Sequence, residues 1–92
     1  MNEKILTLHP EGKNGVNIAR EKYDVMREVI LDNLRQHAPL TFTALGEIVR
    51  EALRGKFEGS VSWYFTTVKL DLEARGEIKR IKSAGKTMLT PG

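Results

Sequence analysis

Residues 60–81 read SVSWYFTTVKLDLEARGEIKRI, and the fold turns on how this stretch divides. At about 100° per residue, Val61, Phe65, Val68 and Leu72 share one narrow sector, with Tyr64 at its edge. That spacing is the core face of a helix. Ser60 stands where an N-cap hydroxyl accepts from a first-turn amide, and Gly76 where a left-handed residue ends the helix. Ser62, Thr66, Lys69 and Glu73 form a polar strip to one side. Trp63, Leu70 and Ala74, with Thr67, lie nearly opposite the core. A surface helix needs only one apolar side, so the Trp63–Leu70 side calls for a covering partner. Three candidates fit: DNA, because apolar side chains contact thymine methyls; another chain; or the N-terminal segment, whose Ile5, Leu6, Leu8, Val16 and Ile18 otherwise lack a partner.

Upstream, residues 18–37 predict a first helix, with Met26, Val29, Ile30 and Leu34 at helical spacing and Tyr23 on the margin. Asn17 is its expected N-cap, and Pro39 stops it by restricting Ala38 and removing a donor. Residues 43–54 predict a second helix with Leu45, Ile48, Val49, Ala52 and Leu53 inward and Glu47, Arg50, Glu51 and Arg54 in solvent. GKFEG makes a short turn. After the third helix, EIKRIK and TMLT flank SAGK, which predicts a β-hairpin. At the N-terminus, ILTL reads as a short strand and HPEGKNG as a turn. GKNG lacks the spacing that lets amides and a lysine surround a phosphate.

The chain has 92 residues, the size of one domain with a modest core. It has no cysteine, which excludes disulfides, a thiolate nucleophile and cysteine-ligated zinc. No apolar run approaches the ~20 residues of a membrane span, and the N-terminus lacks a signal-peptide pattern, so a cytoplasmic location is expected. The net charge of +3 is unevenly placed. Positive and negative side chains cancel up to Arg75, and the excess lies with Lys79, Arg80, Lys82 and Lys86 against Glu77. Cations concentrated on one hairpin point to a polyanion; the plainer alternative is an exposed edge defended against strand pairing.

PLTFTALGEIV, then SVSWYFTTVKLDLEARGEIKRI, then the hairpin to TMLT resemble a winged helix-turn-helix domain over about residues 22–90. The pattern V-K-x-D-L-E-x-x-G-x-I-x-R resembles a recognition helix running into the first wing strand. The whole sequence is also similar to a small uncharacterised bacterial winged-helix family. The resemblance implies a mainly α fold of three helices (18–75) and a C-terminal β-hairpin wing (76–90); residues 1–17 fall outside it and are expected to form an N-terminal extended arm. It also implies a transcriptional regulator that binds duplex DNA, with the third helix in the major groove and the wing on the backbone. By position, the DNA-binding residues are then Ser60, Ser62, Thr66 and Lys69 on the helix and Lys79, Arg80, Lys82 and Lys86 on the wing. Trp63 and Leu70 are the expected interface of a homodimer. The alternative function is a protein-association module of the same fold without DNA binding.

No enzymatic activity is expected. His9 and His37 have no companions at metal-ligand spacing, and no serine is set beside a His–Asp pair. His37 ends a helix, where the dipole favours a cation, and Ser60 is better explained as a cap. No cofactor, metal, small-molecule ligand or membrane partner is expected.

Overall fold

A computed structural model of the chain describes residues 3–92. Seven elements follow in order: β1 (Lys4–Leu6), β2 (Asn17–Ala19), α1 (Arg20–His37), α2 (Phe42–Leu53), α3 (Val61–Ala74), β3 (Ile78–Ser83) and β4 (Lys86–Pro91). The three helices stand between two small antiparallel sheets, β1–β2 and β3–β4. No helix is long and apolar enough to cross a membrane among the described residues.

Helical periodicity produces the core. Met26, Ile30 and Leu34 from α1, Leu45, Val49 and Leu53 from α2, and Phe65, Val68 and Leu72 from α3 are buried together. Each such side chain contributes about 1.5–3 kcal/mol through its removal from water. Gly46 lets α2 lie close to α3, since a Cβ there would come within 3.1 Å of Phe65. Two expected inner positions of α2 are less deep: Ile48 is half-buried and Ala52 exposed. The caps of α2 and α3 satisfy first-turn amides, with Thr41 Oγ1 accepting from Ala44 N–H at 3.0 Å and Ser60 Oγ from Trp63 N–H at 3.2 Å.

The β3–β4 hairpin closes through Ala84 and Gly85, both at positive φ, the geometry that matches strand twist across a two-residue turn. Ile78 and Leu89, at its base, are buried in the helical core. A third chain segment joins there. Leu40 N–H donates to Leu89 C=O at 3.0 Å, and Leu89 N–H donates to Leu40 C=O at 2.6 Å, so the α1–α2 linker lies against β4.

The N-terminal segment differs from the expected extended arm. Residues 4–6 pair with 17–19 in a hairpin, with Ile5 opposite Ile18, and the chain runs from β2 directly into α1. Asn17 is therefore a strand residue, and Ala19 occupies the N-cap of α1 with no side-chain hydrogen bond. Ile18 accounts for the shift, because burying it beside Ile5 requires extended backbone where a helix turn was expected. Thr7 continues the ladder by accepting from Val16 N–H through Oγ1 at 3.0 Å and donating its own N–H to Val16 C=O at 2.9 Å.

Candidate nucleic-acid interface

The polar strip of α3 separates into two parts. Ser62 and Thr66 are exposed, and Arg50 of α2 donates to Ser62 Oγ at 3.5 Å. Lys69 is not available as expected: it is only 7% exposed. Its Nζ lies 2.6 Å from Glu73 Oε2 and 4.9 Å from the centroid of the Phe42 ring. A cation over a ring face and against a carboxylate is held by both, so Lys69 serves the packing of α3 on α2 rather than a groove.

Glu73 is the centre of this arrangement. Its side chain is 6% exposed and accepts from Lys69 on its own helix and from Arg80 Nε on β3. Burial by itself would raise its carboxyl, but hydrogen bonds from Arg80 and Lys69 outweigh that and hold it below the usual carboxylate range. Arg80 is thus tied to the end of α3, which fixes the base of the hairpin against the helix. A second tie runs from Arg27 of α1 to Glu77, just before β3.

Strand alternation divides the hairpin cations between two faces. Arg80 and Lys82 share the face of buried Ile78 and Leu89, toward the helices, whereas Lys79 and Lys86 point to the other face with Ile81 and Met88. The expected four-cation cluster is therefore three free lysines and one committed arginine. Lys79, Lys82 and Lys86 are exposed and form no ion pair among the described residues. Ser60 is exposed but spends its hydroxyl on the cap of α3.

Trp63 and Leu70 face the N-terminal hairpin. The segment around Leu8, Gly15 and Val16 runs beside Trp63, Thr67 and Leu70 and forms an open cleft with them. Leu70 is half-buried, while Trp63 remains 47% exposed and stands edge-on to Tyr64 with centroids 4.9 Å apart. The hairpin thus covers this side of α3 in part, and a large aromatic surface remains.

Sequence reasoning left Asp71 unassigned. It is fully buried on α3 and accepts four hydrogen bonds: from Leu8 N–H at 2.8 Å, from the Tyr23 hydroxyl, and from Arg75 Nε at 3.0 and 2.9 Å. Burial first, and then the hydrogen bond to Asp71, push the Tyr23 hydroxyl up to about 12. The available signal was an acidic residue between core positions Val68 and Leu72, four residues before Arg75.

The architecture is three helices with two small antiparallel sheets, the second a lysine-bearing C-terminal hairpin. A family of unknown function, DUF6958, matches residues 4–88, and the chain belongs to that family. The matched span begins at the first residue of β1 and runs into β4. Comparison with curated proteins and with solved structures finds no match.

Proposed function

We propose that this chain is a non-enzymatic winged-helix domain that binds duplex DNA as a small transcriptional regulator. The observation that carries the reading is the Leu40–Leu89 pair of hydrogen bonds. With it, the order is helix, a single bridging residue, helix, helix, hairpin, with the bridge on the hairpin's second strand, an order that supports a winged helix-turn-helix reading. Residues 42–74 then correspond to the helix-turn-helix, with α3 as the reading helix.

Charge and accessibility supply candidate contacts on both hairpin faces and on α3. Lys79, Lys82 and Lys86 are free to meet phosphates, and Ser62 and Thr66 present hydroxyls capable of hydrogen bonding to base edges or sugar. Arg50, beside Ser62, adds a cation where α2 approaches the start of α3. Lys69 is withdrawn from this reading. Arg80 contributes by setting the angle of the wing through Glu73. With few base-reading groups and three phosphate-contacting lysines, binding rests mainly on the backbone, and discrimination among sequences is modest.

A mobility-shift assay on a pool of random 20-base-pair duplexes at low salt tests the reading. Retarded duplex supports it, and retention of weak sequence preference that Thr66→Ala abolishes supports α3 as the reader. A pool that migrates unchanged at every protein concentration removes DNA from the account.

A further inference from the structure

The β3–β4 hairpin has an open edge as well as two faces. Leu89 turns both of its backbone polar groups outward from β4, since its N–H and C=O bond Leu40. Leu89 stands opposite Arg80, so these two residues exchange no backbone hydrogen bonds with each other. The N–H and C=O of Arg80 therefore point outward from β3, and alternation gives Lys82 the same orientation. Neither backbone has a partner on that side among the described residues. The outer edge of β4 is thus bonded by Leu40, while that of β3 is free. Every residue of β3 after Ile78 is exposed, so the edge is reached from solvent.

Register continues through all six pairs without a bulge, and β3 contains no proline. Of the devices that blunt an edge, charged side chains are the one present within the strand. Those charges select among partners. Antiparallel pairing of β3 with its own copy, through the outward groups of Arg80 or Lys82, always sets a cation opposite a cation. According to register, Arg80 meets Arg80, Arg80 meets Lys82, Lys82 meets Lys82, or Lys79 meets Lys79. Like charges directly opposite destabilise a sheet, whereas carboxylates opposite the same side chains stabilise it. Arg80 is already paired with Glu73, which leaves Lys79 and Lys82 on opposite faces of the strand and Ile81, 41% exposed, between them in sequence. We propose that the β3 edge binds an extended acidic segment of a partner protein by antiparallel strand addition, with carboxylates opposite Lys79 and Lys82 and an apolar side chain opposite Ile81. The backbone groups of Arg80 and Lys82 supply the bonds, and the lysines choose the partner. The proposal concerns the edge, not phosphate contact, and stands without the DNA reading.

The probe is an end-capped peptide with glutamate, valine, threonine and glutamate in that order, flanked by threonines. Titrated into the intact isotope-labelled chain, it is expected to bind and to slow hydrogen exchange at the Arg80 and Lys82 amides. The Lys79 and Ile81 amides, already bonded to β4, should change little. Methylating the backbone nitrogen of the threonine between valine and glutamate, which lies opposite Arg80, keeps every charge and should abolish binding. Exchanging both glutamates for lysine should do the same. A chain carrying Lys79→Glu and Lys82→Glu, checked for folding by circular dichroism, should bind the glutamate peptide about tenfold more weakly and accept the lysine peptide. Absence of binding to the wild-type chain overturns the proposal. Equal binding of the methylated peptide, or unchanged exchange at Arg80 and Lys82, leaves only charge attraction and overturns strand addition. No duplex is present, so either failure leaves the DNA reading as it stands.

Discussion

The Tyr23 hydroxyl donates to Asp71 across the core, joining α1 to α3 at residues 48 positions apart. The same carboxylate holds Leu8 N–H, so one buried side chain docks the N-terminal hairpin and registers two helices. Removing it leaves a buried hydroxyl, an amide and a guanidinium without their acceptor. Asp71→Ala is expected to cost about 2–4 kcal/mol, chiefly from the hydroxyl and amide left without their acceptor since Arg75 reaches solvent, and Asp71→Asn about 1–3 kcal/mol. Chemical denaturation measures both. Hydrogen exchange at the Leu8 amide should accelerate in each variant more than exchange at core amides of α2.

Alkaline pH tests the same contact from the other side. Tyr23 stays protonated up to about 12, whereas an unfolded tyrosine ionises near the ordinary value of 10. The folded chain therefore holds one more proton than the unfolded chain between those values. Its contribution is complete below pH about 10 and declines as pH rises toward 12. Denaturation midpoints measured from pH 9 to 12 should fall in that window, and Tyr23→Phe should flatten the fall while lowering stability at neutral pH by about 1.5–3 kcal/mol.

Glu73 makes the opposite kind of prediction, a loss of stability joined to a gain of binding. Its carboxyl is held below the usual carboxylate range, so its contribution is present above that range and is lost as pH falls through the lowered value. Glu73→Gln imitates the acid state at neutral pH. It should reduce stability by about 1–3 kcal/mol. It should also free the exposed Arg80 to meet a phosphate, steepening the log–log salt dependence of duplex binding by up to about 0.9.

Gly15 lies where the returning chain crosses Thr7. A Cβ at that position would sit 1.6 Å from the Thr7 carbonyl oxygen, a distance no side-chain adjustment relieves. Gly15→Ala should therefore open the β1–β2 hairpin, with a stability loss above about 1 kcal/mol and a shift in Trp63 emission, since the hairpin flanks that ring. Gly12→Ala, at positive φ but in open space, should be milder.

These particulars also mark how far the sequence can be read. The core face of α3 was legible because Phe65, Val68 and Leu72 repeat at helical spacing, and the hairpin because its strands bracket a glycine turn. The side chains that couple elements were harder to place. A helical wheel gives Lys69 an angle between polar neighbours, but its burial depends on Phe42, which arrives from another helix. Asp71 is paired with groups 48 and 63 residues away, distances at which no local pattern speaks. Asn17 had the chemistry of a cap and became a strand residue because Ile18 finds Ile5 across the hairpin. The three readings of the Trp63–Leu70 side narrowed for the same reason: a tertiary contact, the N-terminal hairpin, covers part of it.

The central claim is that the lysines of the β3–β4 hairpin hold a duplex by its phosphates, and the salt dependence of binding tests it most directly. Fluorescence anisotropy of a random-sequence duplex, titrated with the wild-type chain at several salt concentrations, should give a log–log slope near −2.7 for about three phosphate contacts. A variant carrying Lys79→Gln, Lys82→Gln and Lys86→Gln should lose most of the affinity and flatten the slope to no steeper than about −0.9, the share of one remaining cation such as Arg50. Equal slopes for the two proteins, or no anisotropy change at the lowest salt, would contradict it.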